Sequence, residues 1–237
     1  MRYLLRSWVP FWVRQRLCVW KKNVEDHSKG IQFATRDTGK LSFKAILIRE
    51  QVILPSRNYS QKVHNFRLAI EQIHTVVINP NEVFSFNEVV GEGCLKRGYQ
   101  QSRSLCNGVL KKTYGGGLCQ LAGLIYQVSL QLGLDIVERY NHSIDIYTDE
   151  NRYTDLGSDA TISYPFKDLR IRNNSFVSFR FRFHIMDHKL LLTVESTGSV
   201  PVHKIVYQVV QKAPQKVVHT KNHHNEIVAI SVYDNFV

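Results

Sequence analysis

The chain has 237 residues, 43% of them hydrophobic and 22% charged, which suits one sizeable globular core and excludes a disordered chain. Thirty-one Lys and Arg against 20 Asp and Glu leave a formal net charge of +11 and a pI near 9.6. That excess favours anionic surfaces such as lipid head groups or cell-wall polymers; with no Gly/Arg tract or aromatic ribonucleoprotein pattern, nucleic acid is the disfavoured partner.

Residues 1–30 carry seven basic side chains against Glu25 and Asp26, with Trp8, Phe11, Trp12 and Trp20 interleaved. The apolar run is too interrupted by Arg2, Arg6, Arg14 and Arg16 to form a secretory signal or span a bilayer. Pro10 suits the first turn of a helix of about ten to twelve residues. A basic helix with tryptophans can lie on an anionic membrane surface. The competing expectation, and the favoured one, is that its aromatics pack on the domain while its arginines are solvated. Location is expected to be cytoplasmic, peripheral to the inner face of the membrane if this helix binds lipid.

Lys44 to Leu54 reads as a strand ended by Pro55, and Gln61 to His74 as a helix with Val63, Phe66, Ile70 and Ile73 facing inward. His64 and His74 are expected at the surface. Val76–Ile78 is a short strand before the turn Asn79-Pro80-Asn81-Glu82. Asn107-Gly108, between Ser104–Cys106 and Val109–Leu110, is the strongest hairpin signal, and Lys111–Gly117 follows as a loop. The four cysteines, Cys18, Cys94, Cys106 and Cys119, form no CxxC pair and read as free buried thiols, a Cys94–Cys106 bridge being the alternative.

Gly115-Gly116-Gly117 leads into a helix from Cys119 to Leu132, capped by Gly133. Its stripe is Leu118, Leu121, Ala122, Ile125, Val128 and Leu132, with Gln127 and Gln131 facing out. Leu134–Tyr140 reads as a strand, continued by Ile144, Ile146 and Tyr147 after His142; further strands are expected at Ala160–Tyr164 and Leu169–Arg172. Phe179, Phe181 and Phe183 alternate with Arg180, Arg182 and His184 in a half-buried strand that turns at Asp187-His188 into Leu190–Glu195. Ile205–Val210 and Ile227–Val232 read as strands joined by a loop over Gln211–Asn225. The expected organisation is a basic aromatic segment (1–40), a main domain (41–199) and a C-terminal extension or hairpin (200–237). The fold class is α+β: an antiparallel sheet with the cysteine-bearing helix packed on it.

The chemistry-bearing unit is the glycine loop, Cys119 and His142. A thiol in the first turn of a helix has its thiolate favoured by free N–H groups and the helix dipole. The spacings 142 − 119 = 23 and 159 − 142 = 17 suit adjacent antiparallel strands laid against the helix. Cys119 is then a candidate nucleophile, His142 its base and Asp159 the residue orienting the imidazole. Asp145, Asp155 and Asp168 compete for the third role, Asp168 reading more as a turn or salt-bridge residue. The N–H groups of Leu118, Cys119 or Gln120, or the Gln120 amide, are candidate oxyanion donors beside Gly115, Gly116 and Gly117. Against this stands the plain alternative of a buried small cysteine and a loop histidine. No phosphate loop, dinucleotide glycine pattern or convincing metal cluster is present, so no cofactor is expected; His219, His223 and His224 sit in a basic loop.

The motif order is more specific. Phe84-Ser85-Phe86-Asn87 with Val90-Gly91, Arg97-Gly98-Tyr99, Asn107-Gly108, Gly115-Gly116-Gly117-Leu118-Cys119-Gln120, Val137-Glu138-Arg139 with His142-Ser143, Ala160-Thr161, and Asp168-Leu169-Arg170 with Arg172-Asn173 together resemble the VanW family over about residues 60–180. The resemblance implies an association with glycopeptide (vancomycin) resistance and the cell envelope, without an agreed reaction. Many members read Val-Ser-Thr-Thr-Leu-Tyr where this chain has Leu121-Ala122-Gly123-Leu124-Ile125-Tyr126, so hydroxyls near the thiol are replaced by apolar groups. A looser resemblance of arrangement, through Cys119, Leu132-Gly133-Leu134, His142 and Asp159, is to transglutaminase-like and papain-type thiol enzymes. It implies amide or thioester chemistry on peptides such as peptidoglycan stems or precursors. A non-catalytic peptide- or glycan-binding module and a membrane-surface scaffold are the alternatives; nothing in the sequence fixes an oligomeric state.

Overall fold

The computed structural model describes residues 9–106, 108–145, 147, 152 and 154–235, side chains 106 and 235 excepted. The expectations for Arg2, Arg6, Trp8, Asn107 and Ile146 therefore lie outside the described residues. In chain order come α1 (Phe11–Ser28), β1 (Thr35–Arg36), β2 (Lys44–Val52), α2 (Tyr59–Ile73), β3 (Val76–Val77), β4 (Val83–Ser85) and α3 (Phe86–Val90). They are followed by β5 (Gln101–Cys106), β6 (Val109–Tyr114), α4 (Leu118–Gln131), β7 (Asp135–Glu138), β8 (Ile144–Asp145) and β9 (Arg170–Arg172). The chain continues through β10 (Phe179–Met186), β11 (Lys189–Ser196), β12 (Val206–Gln211), β13 (Gln215–Lys221) and β14 (Ile227–Asn235).

This is a mixed α+β protein whose strands pair antiparallel, with a parallel pairing of β14 to β8. The larger sheets run β10-β11-β2, β4-β9-β7 and β12-β13-β14-β8. Period-2 alternation on β10 puts Phe179, Phe181 and Phe183 in the core, and β11 answers with Leu190, Leu192 and Val194. On α2, Val63, Phe66, Ile70 and Ile73 turn the same way. Helix α4 is sheathed by α2, β2, β7 and β11, and it is buried far beyond one stripe: Leu124, Tyr126, Ser129 and Leu130 are enclosed as well. An apolar helix enclosed on most sides is a core helix, so amphipathic spacing understates its burial.

Several expectations need correction. Ala160–Tyr164 forms no strand; only an isolated bridge, Ser163 to Lys167, lies at its end. Gln131 is buried, accepting from Arg49 Nε at 2.8 Å, instead of facing solvent. His74 is half-buried, its Nε2 accepting the Phe183 N–H at 2.8 Å. The expected C-terminal loop contains a full strand, β13. Cys18, Cys94 and Cys119 are free cysteines, and as residues they are half-buried.

Helix α1 differs most. It is 18 residues long, and it docks by its polar side. Gln15 Nε2 donates to Glu92 at 3.0 Å, Lys22 Nζ to Glu138 at 3.0 Å, and the Asp26 carboxylate takes both ends of the Arg170 guanidinium at 2.6 and 3.0 Å. Leu17, Trp20 and Val24, three and four apart on the other side, are exposed, Trp20 at 66%; Phe11 and Trp12 are exposed as well. The expected packing of these aromatics on the domain is thus overturned, apart from the Phe11–Phe166 ring contact at 5.9 Å.

Candidate functional site

The glycine loop is shaped by what surrounds it. A Cβ on Gly116 would stand 2.3 Å from the Ser102 carbonyl oxygen, and Gly117 has φ 99°, so side chains are excluded at the first and strained at the second. Buried Asn65 of α2 fixes the loop against β5: its Nδ2 donates to Gly116 O at 3.0 Å and Gln100 O at 2.9 Å, and its Oδ1 accepts the Gln100 N–H at 2.8 Å. The turn delivers Cys119 to the first turn of α4.

Cys119 lines an open cleft of about 210 Å³ together with His142 and Asp159. Neither partner lies on a strand, contrary to expectation. His142 is in the loop between β7 and β8, and Asp159 is in the segment before β9. That segment is held by Arg139, whose Nε donates to Asp159 O at 2.8 Å, Nη2 to Gly157 O at 2.9 Å and Nη1 to Ser231 Oγ at 2.7 Å. Thr161 N–H adds a bond to Tyr140 O at 2.7 Å.

His142 and Asp159 form a bonded pair in the cleft that Cys119 lines. Asp159 Oδ2 lies 2.6 Å from His142 Nδ1 and also accepts the His142 backbone N–H at 2.7 Å. The Cys119 thiol, in the same cleft, donates to Ile162 O at 3.9 Å. The Ile162 N–H points at the same sulfur from 3.4 Å. Asp159 Oδ1 accepts from Tyr233 Oη at 2.5 Å and from Arg139 Nη2 at 3.2 Å.

This geometry sets the charge states. Burial pushes the Cys119 thiol up, but the hydrogen bond and charge of His142, with the Ile162 N–H, more than offset it, and the net shift is down. Burial pulls His142 down, yet Asp159 and Cys119 raise it to about 10. Asp159 is likewise raised by burial but brought down to about 2 by His142, Arg139 and Tyr233. The two shifts, Cys119 down and His142 up, both run toward a thiolate–imidazolium pair.

Of the remaining candidates, Gly117 and Gln120 line the cleft, while Leu118 is buried. Gly115 packs against Gly93 and Gly116 against β5, so both shape the turn. The Leu118 and Gln120 N–H groups are spent on Gly115 O and Gly117 O at 3.4 and 2.9 Å. The Gln120 side-chain Nε2 donates to Val52 O at 2.8 Å, and its Oε1 is buried with no hydrogen-bond partner among the described residues. Asp145 lines the same cleft but pairs with Arg152 at 2.6 Å and Lys216 at 2.7 Å. Asp168 accepts from Ser85 Oγ at 2.5 Å, Asn87 N at 2.9 Å and Arg170 Nε at 3.1 Å, tying α3 to β9. Among the described residues, no group of three His, Cys, Asp or Glu side chains could hold a metal ion.

Sequence reasoning missed Tyr233, Arg139 and Lys62. Arg139 stood in a quoted motif with no role attached. Tyr233 lies 74 residues beyond its partner with no local signal. Lys62 lines the cleft from α2, its stem lying where a Gly117 Cβ would come within 2.7 Å of Lys62 Cγ.

The molecule is thus an α+β protein in which Cys119 and a bonded His142–Asp159 pair line one cleft. The chain belongs to the VanW family: the VanW-like protein family model matches residues 61–195, more than half of it. It is 31% identical over 137 residues to the uncharacterized protein YoaR of Bacillus subtilis, covering 58% of this chain and 44% of that protein. It is 32% identical over 130 residues to the vancomycin B-type resistance protein VanW of Enterococcus faecalis, covering 55% of this chain and 47% of that one. The matched region spans less than half the length of either relative. No solved structure matches the chain.

Proposed function

We propose that the cleft is a thiol acyl-transfer or amide-hydrolysing site, in the manner of transglutaminase-like and papain-type enzymes, acting on peptides of the peptidoglycan stem type. The observation that carries this is the His142–Asp159 contact at 2.6 Å in the cleft that Cys119 lines. The Cys119 thiolate attacks a substrate carbonyl carbon, forming a C–S bond, while the carbonyl oxygen takes up negative charge near the first turn of α4. As the C–N bond breaks, the imidazolium proton passes to the leaving amine. Water or an acceptor amine then attacks the thioester, its proton goes to His142, and the thiolate is restored. The VanW kinship and the resistance role printed for the Enterococcus faecalis relative support an envelope-linked peptide as substrate.

Intact-mass analysis after incubation with muropeptide stem peptides tests this. A thioester adduct on the wild type that is absent from Cys119→Ala supports it. Absence of any adduct or turnover across stem peptides with both free and amidated termini would count against it.

A second reading, a membrane-surface scaffold, is favoured by the exposed apolar side of α1 flanked by Arg16 and Lys21. No helix among the described residues is long and apolar enough to cross a membrane. Here the protein sediments with phosphatidylglycerol vesicles and not with phosphatidylcholine vesicles, and Trp12→Glu with Trp20→Glu abolishes the binding. Equal recovery of both proteins with the anionic vesicles would refute it.

A further inference from the structure

Some pairs of cations in this protein share a carboxylate. Arg180 and Arg182 share Asp37 at 2.9 and 3.2 Å, and Arg152 and Lys216 share Asp145 at 2.6 and 2.7 Å. Among the described residues, Lys62 and Arg103 have no such bridge. Lys62 of α2 and Arg103 of β5 line the same cleft as Cys119, and among the described residues neither has an ion-pair partner. Lys62 is half-buried, its ammonium 5.5 Å from the centre of the Phe66 ring, with its stem fitted over the bare Cα of Gly117. Burial and then repulsion from Arg103 lower its pKa to about 8, while the Cys119 charge opposes the shift. Two like charges line the cleft that holds the sulfur. Among the described residues neither is ion-paired to the Asp145, Asp155 or Asp159 carboxylates of the same lining, which favours an anion brought from outside.

We propose that Lys62 and Arg103 form a carboxylate subsite that seats the acidic group of a peptide substrate next to the carbonyl attacked by Cys119. This deepens, and rests on, the thiol chemistry proposed above. It narrows the substrate to peptides carrying a free carboxylate near the scissile or acceptor amide, such as an acidic side chain or a free C-terminus. The Arg103 guanidinium offers a two-pronged donor suited to a carboxylate, and Lys62 supplies a point charge deeper in the cleft.

The two reagents iodoacetate and iodoacetamide differ by a carboxylate and report this directly. Each forms a C–S bond to Cys119 with loss of iodide, and intact mass reads the rate. Relative to free cysteine, the iodoacetate-to-iodoacetamide rate ratio at Cys119 is expected to be raised at least about tenfold. It should fall to the free-cysteine value in Lys62→Gln with Arg103→Gln, fall part-way in exposed Arg103→Gln alone, and persist in Lys62→Arg. An unaltered ratio in the double variant, with iodoacetamide still reacting, overturns the subsite and leaves the thiol chemistry standing. A Cys119 that reacts with neither reagent overturns both.

Discussion

Helices α4 and α1 are held to the same body by opposite means. Helix α4 is enclosed by apolar side chains, with Leu121, Ala122, Ile125 and Val128 fully buried. Helix α1 is fastened by Gln15, Lys22 and Asp26, and Asp26 is the buried residue it contributes. Hydrophobic spacing identifies the inward face only where burial is hydrophobic; where charges do the docking, the same rule points outward. The consequence reaches the site. Helix α4 gives Cys119 a rigid, packed base, whereas α1 braces the β7–β9 side through Glu138 and Arg170 and leaves its apolar side for other contacts.

Substitutions break this comparison in graded fashion. Leu121→Ala or Ile125→Ala removes methyl groups from the enclosed helix and should cost about 2–5 kcal/mol in urea unfolding. Asp26→Ala should cost less, about 1–3 kcal/mol, because Arg170 keeps Asp168 at 3.1 Å and Glu138 at 3.4 Å. A pH-dependent effect belongs to the His142–Asp159 pair. His142 is raised from 6.5 to about 10, so its charge stabilises the fold fully below pH 6.5, and that contribution is lost as pH rises through about 10. Asp159 is lowered from 3.8 to about 2, so its contribution is present above pH 3.8 and is lost as pH falls through about 2. Urea midpoints measured against pH should decline on the alkaline side in the wild type, and His142→Ala should flatten that decline. Trp20→Ser, on the outward side of α1, should change stability by less than about 0.5 kcal/mol.

The sequence was legible where physics is local. The period of α2, the alternation of β10 and the glycines leading into α4 each follow from side chains within a turn or a strand of one another. The order Cys119, His142, Asp159 could be read, but not how the chain unites them: it uses loops clamped by Arg139 where strands were expected. Tyr233 was invisible because its bond to Asp159 depends on a parallel pairing of β14 with β8, which no nearby residue announces. Much of the family motif proves to be scaffold. Ser85, Asn87, Asp168 and Arg170 bond one another across α3 and β9, away from the sulfur.

The central claim is that His142 holds Cys119 as a thiolate. Iodoacetamide labelling of Cys119 followed by intact mass across pH tests it most directly. The wild type should label with an apparent pKa well below the ordinary thiol value of about 8.5, and His142→Ala should move it above that value, since burial alone raises the thiol. Identical profiles for the two proteins, or a Cys119 that labels only after unfolding, would contradict it.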